Sequence, residues 1–179
     1  MRIYLTILIL VFSFQSISKA DNISEFTIGG ISVGDSLLDF FDKDLIEEEK
    51  YDPYSLMYKN NKYVQIGASN NKAYRLNIDS DMYDDLSIIL KTKDSTYKVY
   101  SIGGRILCKN IDICKSKKKQ IVSELTIFLE NDVIINNEDK NHSADPTGNS
   151  KTFNTYFNFK SSDDYAFVSV YDWSKIINK

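Results

Sequence analysis

Leu86-Ser87-Ile88-Ile89-Leu90-Lys91-Thr92, then Lys93-Asp94-Ser95, then Tyr97-Lys98-Val99-Tyr100-Ser101-Ile102 is the stretch that decides the fold. Two runs rich in β-branched and aromatic residues flank turn-forming residues, which is the pattern of an antiparallel hairpin. Toward the N-terminus, residues 54–59, 63–68 and 73–79 repeat it, separated by Asn60-Asn61, Asn70-Asn71 and the Asp-rich segment 79–85. Toward the C-terminus, Gly103-Gly104 and residues 105–108 close the meander.

Helical spacing flanks this block on both sides. Leu37, Leu38, Phe41, Leu45 and Ile46 predict a helix over 36–50, with Ser36 as N-cap and Asp39 reaching back to it. It follows a short strand at 25–28 and the turn-rich Gly29-Gly30-Ile31-Ser32-Val33-Gly34-Asp35, and it ends before Asp52-Pro53. A second helix is predicted over 112–129, capped by Asp112, with Ile121, Val122, Leu125, Phe128 and Leu129 as its buried stripe. The polar stretch after it reads as a long loop over 136–151. Two last strands, 152–159 and 166–173, are joined by Ser161-Ser162-Asp163-Asp164. The expected fold is α+β: one antiparallel sheet of about six to seven strands with two helices packed on one face. Residues 21–179 form a single domain without internal repeats.

Residues 1–20 have the layout of a cleavable signal peptide. Arg2 precedes an apolar run from Ile3 to Phe14, and Ser18-Lys19-Ala20 supplies small residues before a cut between Ala20 and Asp21. The run is shorter than the roughly 20 residues that a spanning helix needs. The expected mature chain has no transmembrane segment and works in the periplasm or outside the cell. Removing Arg2 and Lys19 leaves 20 basic against 25 acidic side chains, a net charge of −5, which argues against nucleic acid as a partner. In an oxidising compartment the pair Cys108 and Cys114 reads as a disulfide that staples a strand end to the first turn of a helix.

Several short segments carry a resemblance. Residues 31–40, 144–150 (Ala-Asp-Pro-Thr-Gly-Asn-Ser), 156–159 (Tyr-Phe-Asn-Phe) and 170–174 (Val-Tyr-Asp-Trp-Ser) resemble an uncharacterised family of small secreted (periplasmic) proteins of Pelagibacter-type marine bacteria. The resemblance implies a compartment and a lineage, and no activity. The Gly30–Ser36 opening is similar to the helix entry of small outer-membrane assembly lipoproteins, whose anchoring cysteine this chain lacks.

No catalytic constellation stands out. His142 is the chain's one histidine, and its neighbours Ser143 and Asp145 are adjacent in sequence, whereas triads assemble in space. Residues 79–85 lack the ligand spacing of an EF-hand loop, so a solvated turn is expected there. No metal and no cofactor is expected.

Two surfaces are candidates for binding. Between Arg105 and Gln120 lie six basic residues against one acid, including Lys115, Lys117, Lys118 and Lys119, an anion-binding candidate. Successive helical residues point about 100° apart, so these lysines fan around the helix. Along the last strand Phe167, Tyr171 and Trp173 share one face with Ser169, while Ala166, Val168, Val170 and Asp172 share the other. On the strand before it Phe153, Thr155, Phe157 and Phe159 align, with Tyr156 opposite. Tyr156, Tyr171 and Trp173 are therefore the ligand-binding candidates, because amphipathic rings bury area while keeping a polar tip wet.

The expectation is a non-catalytic periplasmic binding or accessory module for a small molecule, a peptide or an envelope component. The alternatives are an envelope-surface protein that docks anionic lipid or an acidic partner through residues 105–120, and a small carboxylate-based hydrolase or lyase.

Overall fold

A computed structural model describes residues 26–52, 55–69, 75–78 and 81–174. The expected leader and its cut at Ala20 and Asp21 lie outside the described residues.

The architecture overturns the single-sheet expectation. Among the described residues the chain is mostly β, with nine strands in three separate sheets of two, four and three strands, and two α-helices. The small hairpin pairs β1 (Thr27–Ile28) with β2 (Ile31–Ser32). The four-stranded sheet has the order β3 (Leu56–Tyr58), β4 (Tyr63–Ser69), β5 (Asp85–Lys91), β6 (Val99–Arg105), all antiparallel. The three-stranded sheet has the order β7 (Val133–Asn141), β8 (Lys151–Phe159), β9 (Tyr165–Asp172), also antiparallel.

At the start of β6 the outer edge is already taken by another segment. The Gly34 N–H donates to Val99 O (2.8 Å), Val99 N–H donates to Asp35 O (2.8 Å), and Leu37 N–H donates to Tyr97 O (3.0 Å). Those backbone groups are therefore closed to a returning strand at Val99. The chain instead turns into α2 (Ile111–Leu129) and builds a new sheet beneath it. Tyr83 lies against Gly104 so closely that a side chain there would have no room.

Each larger sheet has its own core. Val64 and Ile66 of β4, Leu86, Ile88 and Leu90 of β5, and Val99 of β6 alternate onto one face, where Ile31, Leu37 and Ile46 close over them. The second core is smaller: Leu125 and Leu129 of α2 meet Val133 and Phe157, with Phe159, Ala166 and Val168 packed around them. Phe26 belongs to this second core, its ring 5.8 Å from that of Phe128.

Several elements differ from expectation in detail. The helix over 36–50 is two pieces, a 3-10 turn at Leu37–Asp39 and α1 at Lys43–Lys50, because Asp42 between them is extended (φ −63°, ψ 140°). Ser36 does cap the first piece, and its hydroxyl also donates to Thr96 O at 2.8 Å. The cap of α2 is Asn110, whose Oδ1 accepts from the Ile113 N–H at 3.0 Å, so Asp112 falls inside the first turn. The run 73–79 is described only at 75–78, where Leu76 bridges Ala68. Part of the expected 136–151 loop is strand: β7 runs to Asn141, and the connection spans 142–150.

No helix among the described residues is long and apolar enough to cross a membrane. Cys108 and Cys114 are disulfide-bonded, with Cα atoms 5.6 Å apart. The bond ties the segment after β6 to the first turn of α2, and so clamps the junction between the two sheets.

Candidate functional site

Side chains alternate across a strand, so β8 and β9 each have a covered and an uncovered side. α2 covers Phe157, Phe159, Ala166 and Val168. The opposite side, left without a covering element among the described residues, carries Tyr156 from β8, Tyr165, Phe167 and Tyr171 from β9, and Trp173 just beyond. Tyr156 is half-buried, and exposure of the others runs from 37 % for Trp173 to 58 % for Tyr165. The register places Tyr156 opposite Phe167, Asn154 opposite Ser169 and Thr152 opposite Tyr171.

The rings form two groups. Tyr156, Tyr165 and Phe167 make a triangle with centroids 6.0–6.3 Å apart. At the other end Tyr171 and Trp173 lie nearly parallel, 6.5 Å apart at 21°, and His142 completes the group at 5.3 Å from Tyr171 and 4.1 Å from Trp173. Between the groups the floor is polar. Ser169 Oγ donates to Asn154 Oδ1 at 2.6 Å, and Thr152 and Asn154 are both buried. Over this floor lies a shallow recess of about 280 Å³, lined among others by Lys140, His142, Thr152, Asn154, Tyr156 and Tyr171.

His142 reaches the site because the connection 142–150 is built around one carboxylate. Asp145 is buried and accepts from the Thr147 N–H (2.9 Å), the Thr147 hydroxyl (2.6 Å) and the Ser150 N–H (2.7 Å). Hydrogen bonds from Ser150 and Thr147 hold its carboxyl well below the usual carboxylate range. Gly148 takes the left-handed turn (φ 71°) that closes the loop. The His142 N–H donates to Ser150 O at 2.9 Å, and His142 Nδ1 accepts from the Ala144 N–H at 3.1 Å. In the neutral ring that leaves Nε2 as the donor. Past β9, Ser174 N–H donates to Ser150 Oγ at 3.0 Å, which fixes the backbone that carries Trp173.

Comparison with protein-family models, curated proteins and solved structures finds no match. The site is read from its own geometry.

Tyr156, Tyr171 and Trp173, named from sequence, all stand on the uncovered face, at the two ends of the recess. Tyr165, His142, Lys140 and Asn154 were not named as binding residues. Tyr165 is two residues before Phe167 and could have been found from the alternation; His142 and Lys140 depend on β7, which has no apolar alternation to reveal it.

The lysines named from sequence are dispersed. Lys115 places its ammonium 3.9 Å from the centroid of the Phe153 ring, on the covered side of the sheet. Burial pushes the Lys118 ammonium pKa down, opposed by the nearby Asp139 carboxylate. Lys117 and Lys119 are exposed, and Arg105 of the same basic segment is bound to Asp85. In the Asp-rich turn, Asp84 accepts from the Leu107 N–H at 2.7 Å, so that carboxylate serves the backbone.

A second recess, about 370 Å³, lies between the 3-10 turn and Arg75, with Asp39, Asp42, Phe40 and Leu45 on its wall. Arg75 is held by Asp52 at 2.6 Å and by Glu48 at 3.4 Å. The wall holds two carboxylates but no histidine, serine or cysteine.

Proposed function

We propose that this chain is an exported, non-catalytic binding module of the periplasm, and that the uncovered face of the three-stranded sheet receives its ligand. One observation carries the proposal. The aromatic side chains of β9 stand in solvent around a polar recess, although α2 supplies a covered face on the other side of the same strands. Singly exposed apolar residues are ordinary, but a contiguous exposed group rimmed by polar side chains marks an interaction site. A leader-like N-terminus and a disulfide between closely spaced cysteines support the compartment.

The lipid-docking alternative draws less support, since Lys115 and Lys118 are engaged with the sheet while Lys117 and Lys119 stand apart from them. The carboxylate-hydrolase alternative has Asp39 and Asp42 in the second recess, with no hydroxyl, thiol or imidazole nucleophile on its wall among the described residues.

Trp173 is the chain's only tryptophan, so its emission reports on the site directly. Titration of the mature protein with panels of sugars, peptides and lipid head groups should give a saturable change in Trp173 fluorescence for at least one class. Tyr171→Ala should shift that saturation to about tenfold higher ligand without unfolding the protein. If no class gives saturation, the binding-module proposal fails.

A further inference from the structure

We infer that the recess takes an uncharged saccharide, a proposal that rests on the binding-module function above and gives it a ligand class. The first ground is the order of chemistry along the face: rings, then hydrogen-bonding side chains, then rings. A sugar ring offers apolar C–H faces to aromatic side chains and hydroxyls around its rim. It therefore needs flat rings together with mixed donors and acceptors, which this face supplies.

The second ground is Asn154. Its residue is only 3 % exposed, it lines the recess, and its Oδ1 is used by Ser169. Among the described residues nothing accepts from its NH2 group. That NH2 group is not sealed from solvent, so it is open to an acceptor that enters the recess. A ligand hydroxyl over the floor would accept from it, while Ser169 Oγ and the Thr152 hydroxyl remain able to accept in return.

Charge and edge geometry decide against the other classes. Lys140 at the rim is paired with Glu138 at 2.7 Å, and among the described residues no carboxylate lines the recess, so none of them selects an ionic ligand. An extended peptide is captured mainly by unpaired main-chain groups at a sheet edge. The floor of the recess lies between β8 and β9, which exchange hydrogen bonds from Lys151↔Asp172 to Asn158↔Tyr165, so it presents side chains; the unpaired ladder of β9 lies at the sheet margin outside that floor. The volume, near the low end for small-molecule sites, suits one or two sugar rings of a chain that continues past the aromatic ends.

The test uses the mature protein with its disulfide formed. Its Trp173 emission is titrated with neutral tetrasaccharides of glucose, mannose, galactose and N-acetylglucosamine, beside a peptide panel and an anionic polysaccharide. At least one neutral tetrasaccharide should saturate, with an affinity unchanged within a factor of two between low and high salt. Tyr156→Ala and Tyr171→Ala should each weaken it about tenfold, the effect of losing one stacking ring. Asn154→Asp keeps the shape and removes the NH2 donor, and should also weaken it. If Asn154→Asp fails to fold, the two tyrosine variants and the salt series still decide. Saturation by peptides but by no saccharide overturns the saccharide assignment and leaves the binding module standing. Affinity that falls steeply with salt overturns the uncharged assignment. Silence from every probe removes both.

Discussion

The two larger sheets handle their apolar residues in opposite ways. The four-stranded sheet folds thirteen residues into a closed core, most of them aliphatic, with α1 and the 3-10 turn drawn over it. The three-stranded sheet buries four, under one helix, and turns four aromatic residues of its last strand region outward. Burial of apolar area is the main source of stability. The first sheet thus reads as scaffold. The second gives up part of that stabilisation to display a surface, which makes sense if something binds there.

The largest test of this contrast is Phe157→Ala. Phe157 is fully buried in the smaller core, so its removal should cost about 4 kcal/mol, read by urea denaturation. Trp173 emission, which reports on this sheet alone, should then change at lower urea than far-UV circular dichroism does. Coincident transitions in the variant would mean that the two cores unfold as one unit, and would break the contrast.

A middle-sized effect is expected at the joint. Replacing both Cys108 and Cys114 by Ser should cost about 2 kcal/mol on chain-entropy grounds, seen as a lower denaturation midpoint that reducing agent reproduces in the parent protein.

Asp145 should act more locally. Its folded carboxyl ionises below the ordinary range, so it stabilises the fold above about pH 4, the unfolded value, and that contribution is lost as pH falls further. Asp145→Asn should lower the melting temperature at pH 7 and flatten the acid limb of the stability profile. It should also weaken ligand binding, because His142 is held by the same loop. An unchanged acid limb would remove Asp145 as the hub.

The smallest effect is the most informative. Tyr165→Ala and Tyr171→Ala should each change stability by no more than about 0.5 kcal/mol, as surface substitutions do. A large destabilisation by either would show that the outward rings are core after all.

How much of this was legible in the sequence depended on periodicity. The two final strands were read to within a residue at each end, since aromatic and β-branched residues recur there at every second position. The same alternation put Tyr156, Tyr171 and Trp173 on one face. β7 was hidden because Asn136, Asn137, Glu138, Asp139 and Lys140 carry no apolar rhythm; pairing with β8 makes it a strand, helped by the Thr155 hydroxyl donating to Asn137 Oδ1 at 2.6 Å. The division into separate sheets was equally hidden. Strand pattern says that a segment will pair but not with which partner, and the 34–37 segment bonds the first residue of β6, Val99. His142 entered the site through the geometry of a nine-residue connection, which no local pattern encodes.

The polarity of β7 also bears on how crowded copies of the protein behave. β7 lies at the margin of its sheet, next to β8 alone, and every residue after Val133 is exposed. A flat sheet with an aromatic face and an apolar margin would recruit other copies strand by strand into fibrils. Alternating carboxylates, amides and an ammonium along that margin make such growth unfavourable. The strand least visible in the sequence thus closes one of the sheet's two margins to such growth and leaves β9, with its aromatic face, as the other.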